Sequence, residues 1–347
     1  YEAALERIAY CFQEFDNVLV AFSGGKDSGV LLNLCYNYAD EHGLLDKLTM
    51  YHLDYEAQYQ MTTEYVTRTF LEQFPGIRKM WYCVPIKAQS ACALGEPYWT
   101  PWDAAKKKLW VRAMPENPYV VHEGNLDVPF RHGMVDYEFQ DKLSRHFAKK
   151  RGTTAVMVGL RADESLNRYA AVARGKKRRS YEGRKWITQT SAVTANVYPL
   201  YDWRVSDIWT ATARFGFDYN RLYDLLYQAG LTAGQMRVAS PFNDCAQESL
   251  KLYKVIDPSN WARMIGRVNG VNFTGLYGGT TAMGWKTIKL PPGHTWKSYY
   301  EFLLSTMDAR TAAHYNNILE KSKRYWMQGG TVDPGTCLLY TSPSPRD

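Results

Sequence analysis

Eight residues, Phe22-Ser23-Gly24-Gly25-Lys26-Asp27-Ser28-Gly29, constrain this chain more than any other stretch. They follow Asn17-Val-Leu-Val-Ala-Phe22, a short unbroken apolar run of the kind a buried parallel strand requires. They precede Val30-Leu31-Leu32, Leu34-Cys35 and Tyr38, which recur at helical spacing up to a stop at Gly43. A strand must therefore turn into a helix through two glycines, whose backbone tolerates the tight turn and lets a ligand come close. Several N–H groups then point one way at the positive end of a helix, forming an anion nest. Lys26 adds a cationic donor, Ser23 and Ser28 add hydroxyls, and Asp27 or Ser28 is placed to cap the helix. The predicted ligand is a phosphate, pyrophosphate or sulfate. The loop is neither G-x-x-x-x-G-K-[ST] nor G-x-G-x-x-G, so P-loop NTPase and dinucleotide-binding readings lose support.

Further strands and helices alternate behind it. Leu48 to Leu53 reads as a second strand ending at Asp54, and Thr62 to Phe74 as a helix closed by Pro75-Gly76. Lys79 to Val84, Thr154 to Gly159 and Asn196 to Leu200 read as the third, fourth and fifth strands. This order predicts an α/β fold with a Rossmann-like parallel five-stranded sheet. Residues 85–135, rich in Pro, Trp, Tyr and His, are too long for a plain connection and are expected to be an insertion folding over the sheet's mouth. Beyond residue 205 the chain turns helical and aromatic.

With 347 residues the chain is at or past the length where one core stops growing. Its 46% hydrophobic and 22% charged residues are those of a globular protein, not a disordered one. No run of about 18 apolar residues occurs, so no transmembrane helix and no membrane partner is expected. No secretory leader is visible. Six widely and irregularly spaced cysteines argue against a disulfide scaffold and for a reducing cytoplasm. The seven histidines show no metal-ligand spacing, so no metal site is supported. The net charge of +7 is concentrated in Arg174 to Lys185, which holds seven basic residues and one acid. That run fits a lid over a polyanionic nucleotide, a nucleic-acid contact, or a solvated loop. The first residue is Tyr1, inside what already reads as a helix, and the start of the natural chain is expected to lie upstream. The last eleven residues, 337–347, are unlike the rest. Their reverse translation resembles a transposase adapter used in sequencing libraries, so they are expected to be an artefact.

The segment S-G-G-K-D-S resembles the pyrophosphate (PP) loop of the adenine nucleotide alpha-hydrolase superfamily. Gly159-Leu-Arg161-Ala-Asp-Glu164-Ser165-Leu-Asn-Arg168 is similar to the G-x-R-x-x-E-S-x-x-R segment of phosphoadenosine phosphosulfate (PAPS) reductases. So is the block running from Pro199-Leu200-Tyr-Asp202-Trp203 through Asp207-Ile-Trp209 to Tyr219-Asn220-Arg-Leu222-Tyr223-Asp224. Met236 to Cys245 and Asn272 to Gly284 resemble a subgroup of bacteria and phages, the PAPS sulfotransferase-like proteins of the immunoglobulin-binding regulator A type. The resemblance implies an adenine nucleotide ligand, PAPS or ATP, with Mg2+ if ATP. It implies a ParB/sulfiredoxin-like protein as a partner, and nucleotide phosphates held by basic residues such as Lys177 and Arg178. The expected organisation is a nucleotide-binding α/β domain over 1–215, a helical, aromatic-rich region over 216–336, and the artefact beyond.

The candidate binding set is then Ser23, Gly24, Gly25, Lys26, Asp27, Ser28, Asp54, Gly159, Arg161, Arg168, Lys177 and Arg178, with Lys26, Asp27 and Arg161 as catalytic residues. Arg161 follows the fourth strand at the edge where open α/β sheets bind ligands, and a guanidinium suits phosphate or sulfate. Its alternative is an ion pair with Asp163 or Glu164. Asp54 ends the second strand on the same edge and fits a ribose or metal contact, or a plain turn. Glu164 and Ser165 fit helix capping. Asp202 and Trp203 fit the site's lining, or core in the case of Trp203. Neither the E-C-G-[IL]-H motif of thioredoxin-dependent relatives nor the cysteine pairs of iron–sulfur relatives occurs, so no iron–sulfur cluster is expected. Cys245 is open between a structural and a catalytic role. The leading reading is a PAPS reductase-like enzyme of sulfuryl or adenylyl transfer. The alternatives are a non-catalytic nucleotide-sensing module and a nucleic-acid thiolation enzyme.

Overall fold

The computed structural model describes residues 1–93, 95–173, 180–238, 240–247, 249–278, 280, 282 and 290–329. One compact unit runs from Tyr1 to Met283 and a second from Gly284 to Asp347. The first unit holds strands β1 (Asn17–Ala21), β2 (Leu48–Leu53), β3 (Arg78–Cys83), β4 (Ala88–Gln89), β5 (Tyr98–Trp99), β6 (Val120–His122), β7 (Thr154–Val158), β8 (Ser180–Tyr181), β9 (Arg184–Gln189) and β10 (Thr194–Val197). Its helices are α1 (Glu2–Glu14), α2 (Lys26–Glu41), α3 (Gln60–Glu72), α4 (Asp136–Arg151), α5 (Leu166–Ala173), α6 (Val205–Phe215), α7 (Leu222–Gln228), α8 (Tyr253–Ile256), α9 (Pro258–Arg267) and α10 (Val271–Tyr277). The second unit contributes α11 (Trp296–Ser305) and α12 (Ala309–Gly329). Among the described residues, no helix is long and apolar enough to cross a membrane.

The main sheet has the order β6-β3-β2-β1-β7-β10-β9-β8. The five expected strands form its parallel centre, β3-β2-β1-β7-β10. β6 extends it in parallel on one side, and β9 and β8 extend it antiparallel on the other, so eight strands replace the five read from sequence. The fifth strand starts two residues earlier than expected and ends three earlier, before Pro199, which cannot donate to a ladder. The helix after β2 likewise starts two residues earlier, at Gln60.

The central strands are buried on both faces, as their unbroken apolar runs require. Val18, Val20, Ala155 and Met157 face a core built with α1, α2, α3 and α6. Leu19 and Val156 face the opposite core with Phe139, Leu143 and Phe147 of α4. The order reverses between β1 and β7. Ala21 pairs with Val158, so both strands end together and open a crevice at their carboxyl ends.

A third core ties the remaining parts to this crevice. Ala88, Cys92, Trp99 and Val111 of the 85–135 insertion pack with Leu222, Leu226, Phe242, Trp261 and Met264. Packing therefore runs continuously across residues 215–216, within the first unit.

Candidate functional site

The loop after β1 closes on itself through its serines. Ser28 Oγ accepts from Ser23 N at 3.1 Å and donates to the Gly25 carbonyl at 3.1 Å, and Ser23 Oγ accepts from Gly25 N at 3.3 Å. Gly25 is the N-cap of α2, and no side chain caps it; Asp27 and Ser28 do other work. Gly24 has φ +77°, and a Cβ there would lie 2.9 Å from Val66 Cγ2, so both conformation and space demand glycine.

Two residues of the Tyr219–Asp224 block hold this loop from outside. Asn220 Nδ2 donates to the Gly24 carbonyl at 3.2 Å and to Thr62 Oγ1 at 2.9 Å. Tyr223 Oη accepts from Lys26 N at 3.0 Å. The expected nest therefore arrives with its Ser23, Gly25 and Lys26 N–H groups already bonded to protein hydroxyls. Sequence reasoning quoted Asn220 and Tyr223 as part of a block and assigned them no role. Their signal was polar side chains at positions facing the core, both now buried.

Charge gathers at the ends of β1 and β7. Lys26 is buried and its Nζ donates to Asp27 Oδ2 at 3.0 Å. Asp27 Oδ1 accepts from Arg161 Nε at 2.5 Å. Arg161, also buried, spends its other donors on Asp163 and Glu164, and Glu164 in turn pairs with the half-exposed Arg168. Burial pushes the Arg161 guanidinium down, but Asp27, Glu164 and Asp163 outweigh it and hold it above its usual value. Arg161 thus sits at the crevice with its guanidinium on carboxylates, the ion pairing that was the alternative to ligand contact. Gly159 works through clearance. A Cβ there would lie 2.9 Å from Asp27 C and Ser28 N, so β7 reaches the first turn of α2 only without a side chain. Ser165 Oγ accepts from Arg168 N at 3.2 Å, the capping bond expected of it.

Other predicted residues lie apart. Asp54 is buried and its oxygens accept from Trp81 Nε1 at 2.7 Å, Glu56 N at 2.8 Å and Arg112 Nη2. Burial pushes its carboxyl up, yet Arg112 outweighs this and holds it below the usual range. Asp54 anchors the insertion by these bonds, and Arg112 sits at the position where a ribose or metal contact was expected. Asp202 pairs with Arg7 of α1 at 2.6 Å, and Trp203 is core. Lys177 and Arg178 lie outside the described residues, as do residues 337–347. The end of the basic run is sheet: Arg184 belongs to β9 and stacks on the Tyr10 ring at 4.0 Å. Cys11, Cys35, Cys83 and Cys92 are buried, and burial pushes each thiol up, away from the nucleophilic thiolate. The side chain of Cys245 lies outside the described atoms. Among the described residues, no group of three or more His, Cys, Asp or Glu is arranged to hold a metal ion.

A mainly parallel α/β sheet with a glycine loop at its reversal point and two buried cations beside that loop is the architecture of a PAPS reductase-like domain. The chain belongs to the phosphoadenosine phosphosulfate reductase domain family, whose profile matches residues 17–229; a domain of unknown function, DUF3440, matches residues 230–339. It is 34% identical over 340 residues to the Escherichia coli (strain K12) protein YbdN, described as uncharacterized, covering 96% of this chain and 82% of that one. Among solved structures it resembles a PAPS reductase from Candida auris in complex with phosphate (TM-score 0.37, 13% identity, 68% of this chain and 87% of that one). It also resembles an NH3-dependent NAD synthetase from Campylobacter jejuni (TM-score 0.33, 12% identity, 84% and 97%).

Proposed function

We propose that this protein is an enzyme that binds an adenine nucleotide, PAPS or ATP, on the Ser23–Ser28 loop and transfers its sulfuryl or adenylyl group. The observation that carries this reading is the Lys26–Asp27–Arg161 chain of charges, buried where β1 and β7 end, against the loop. Asp27 stands between two cations as an anion's oxygen would. Nucleotide phosphates enter by exchanging with carboxylates at Lys26 and Arg161, which then neutralise charge developing on the transferred group. The loop donors and the Asn220 and Tyr223 bonds hold that group in place, so catalysis is positioning and charge stabilisation. With ATP, Mg2+ supplies further neutralisation of the phosphates, and Asp27 is the carboxylate at hand for it. The resemblance of Met236–Cys245 and Asn272–Gly284 supports the sulfotransferase-like subgroup and its ParB/sulfiredoxin-like partner.

Replacement of Lys26 by Ala removes a charge-assisted contact, worth at least about 1 kcal/mol. Calorimetry should show affinity for PAPS or ATP–Mg2+ reduced about fivefold or more. Unchanged affinity for both removes the loop from the mechanism. Incubation with labelled nucleotide separates enzyme from sensor: release of pyrophosphate, AMP or adenosine 3′,5′-bisphosphate is expected, and binding without turnover leaves a sensing module.

A further inference from the structure

Beside the loop lies a small cavity with both polar and apolar walls that the reading above does not use. Gln58, Tyr59 and Thr62 line one side, and Arg237, Val238, Pro241 and Tyr253 the other; Arg237 spends a guanidinium donor on the Glu164 carbonyl at 2.9 Å. Its free volume is about 20 Å³, room for one water-sized group. The first side comes from the stretch matched by the PAPS reductase domain, the second from the stretch matched by DUF3440. Both touch the loop: a Cβ at Gly24 would lie 3.3 Å from Thr62 Cγ2, and one at Gly25 would lie 3.9 Å from Val238 Cβ.

The cavity walls are held by specific bonds. Asn260 Nδ2 donates to the Gln58 carbonyl at 3.0 Å, and Asp257 Oδ2 accepts from Gln60 N at 2.8 Å. The Tyr59 ring stacks on Tyr253 with centroids 3.5 Å apart. The start of α9 thus clamps the turn that carries Gln58 and Tyr59. Yet Gln58 Oε1 and Tyr59 Oη have no hydrogen-bond partner among the described residues, although Gln58 is 6% and Tyr59 8% exposed. Ser240 Oγ, on the facing segment, is in the same condition. A buried polar group left unpaired costs about 1–3 kcal/mol, so two of them on residues lining one small space, Gln58 and Tyr59, mark the place of an occupant. Burial pushes the Tyr59 phenol up, which keeps it a donor at neutral pH.

We propose that this cavity is the acceptor subsite, and that it takes a protic nucleophile with a single heavy atom, of the class of water, ammonia or hydrosulfide. The proposal rests on the nucleotide reading above. Gln58 Oε1 only accepts, so the occupant donates a hydrogen. The Tyr59 hydroxyl has a proton to give, so the occupant also offers a lone pair. The free volume of about 20 Å³ has room for one such heavy atom. In the transfer, the occupant's lone pair forms the new bond to the phosphorus or sulfur. The bond from that atom to its leaving oxygen breaks, and its electron pair stays with pyrophosphate from ATP or with adenosine 3′,5′-bisphosphate from PAPS. The occupant's proton passes to solvent, and no oxidant or reductant is needed.

The test uses the full chain with ATP–Mg2+ or PAPS in buffer alone, with ammonium, and with hydrosulfide. Methylammonium and 2-mercaptoethanol serve as bulkier counterparts. Nucleotide affinity is measured by calorimetry, and release of pyrophosphate or bisphosphate by chromatography. We expect one small arm to support release and the bulkier arms to add nothing. Tyr59→Phe keeps the ring stack, and Gln58→Leu keeps the side-chain size. Both should bind nucleotide within twofold of wild type and release product at least tenfold more slowly. Bound nucleotide with wild-type release in both variants, with no release in any small arm, or with release raised above the buffer-alone level by a bulkier nucleophile overturns the cavity's role while the nucleotide reading stands. Failure to bind either nucleotide overturns the nucleotide reading and the acceptor role with it. A crystal structure of the nucleotide-free chain adds an independent readout. One ordered atom within hydrogen-bond distance of Gln58 Oε1 and Tyr59 Oη is expected, and an empty cavity overturns the proposal.

Discussion

The Tyr223 hydroxyl holds a backbone N–H that an anion would otherwise claim. It accepts from Lys26 N, while its ring lies 5.4 Å from Lys26 Nζ. Burial pushes the phenol up, so it remains protonated and keeps one hydrogen to donate. In a nucleotide complex that hydrogen adds a donor to the loop. Tyr223→Phe removes it and leaves a buried N–H unpaired. Stability in urea should fall by about 1 kcal/mol, and calorimetric affinity for the nucleotide about fivefold. A rise in affinity would show instead that the hydroxyl competes with the ligand for Lys26 N. Arg161 poses a related question of exchange. With Asp27, Asp163 and Glu164 on one guanidinium, any phosphate that binds there replaces a carboxylate.

Among the elements, β1, the loop and α2 were legible because their signals are local: an apolar run, paired glycines and a helical repeat within 27 residues of one another. β6 and β8 were not, since three- and two-residue strands carry no period. β9, Arg184-Lys-Trp-Ile-Thr-Gln189, hid inside a basic run because it lies near the sheet edge and only Ile187 is buried. The bonds of Asp54 were hidden for another reason: its partner Arg112 is 58 residues away, and strand-end position says nothing of it. Gly159 was singled out through its motif, and the work the structure shows for it is steric. It sets the distance between β7 and α2. Gly159→Ala forces a Cβ against backbone atoms of Asp27 and Ser28, which have no side-chain freedom with which to yield. Overpacking of this kind costs about 1–3 kcal/mol. Urea unfolding should show that loss, and nucleotide affinity should fall with it as the loop shifts. Gly234→Ala, where an added Cβ meets no atom within 4 Å, should change stability by no more than about 0.5 kcal/mol.

At the scale of the whole first unit, one ion pair joins the site's surroundings into a single body. Glu56 lies just past β2, at φ +66°, and Arg267 ends α9, 211 residues later. Arg267 Nε donates to Glu56 Oε1 at 2.8 Å and Nη2 to Oε2 at 2.9 Å, with both side chains essentially inaccessible to solvent. The same carboxylate accepts from Trp102 N at 2.7 Å and Val111 N at 2.9 Å, and Arg267 also reaches the Thr100 carbonyl. The end of β2, the insertion and the C-terminal helices therefore meet at one buried charge pair. Such a pair is weak as a net source of stability, but removal of one member strands the other in low dielectric, at a cost of about 3–5 kcal/mol. Arg267→Met keeps much of the side-chain volume and leaves Glu56 without its cation. Urea unfolding should show stability reduced by about that amount. Because the pair belongs to all three parts, tryptophan fluorescence, to which Trp99, Trp102 and Trp110 of the insertion and Trp261 of α9 contribute beside Trp81 of β3 and Trp186 of β9, should shift to lower urea together with far-ultraviolet circular dichroism, which reports the helices. If fluorescence shifted while circular dichroism kept its wild-type midpoint, the insertion and α9 would be a separately melting layer. The clamp they place on Gln58 and Tyr59 would then be weaker than the sheet beneath it.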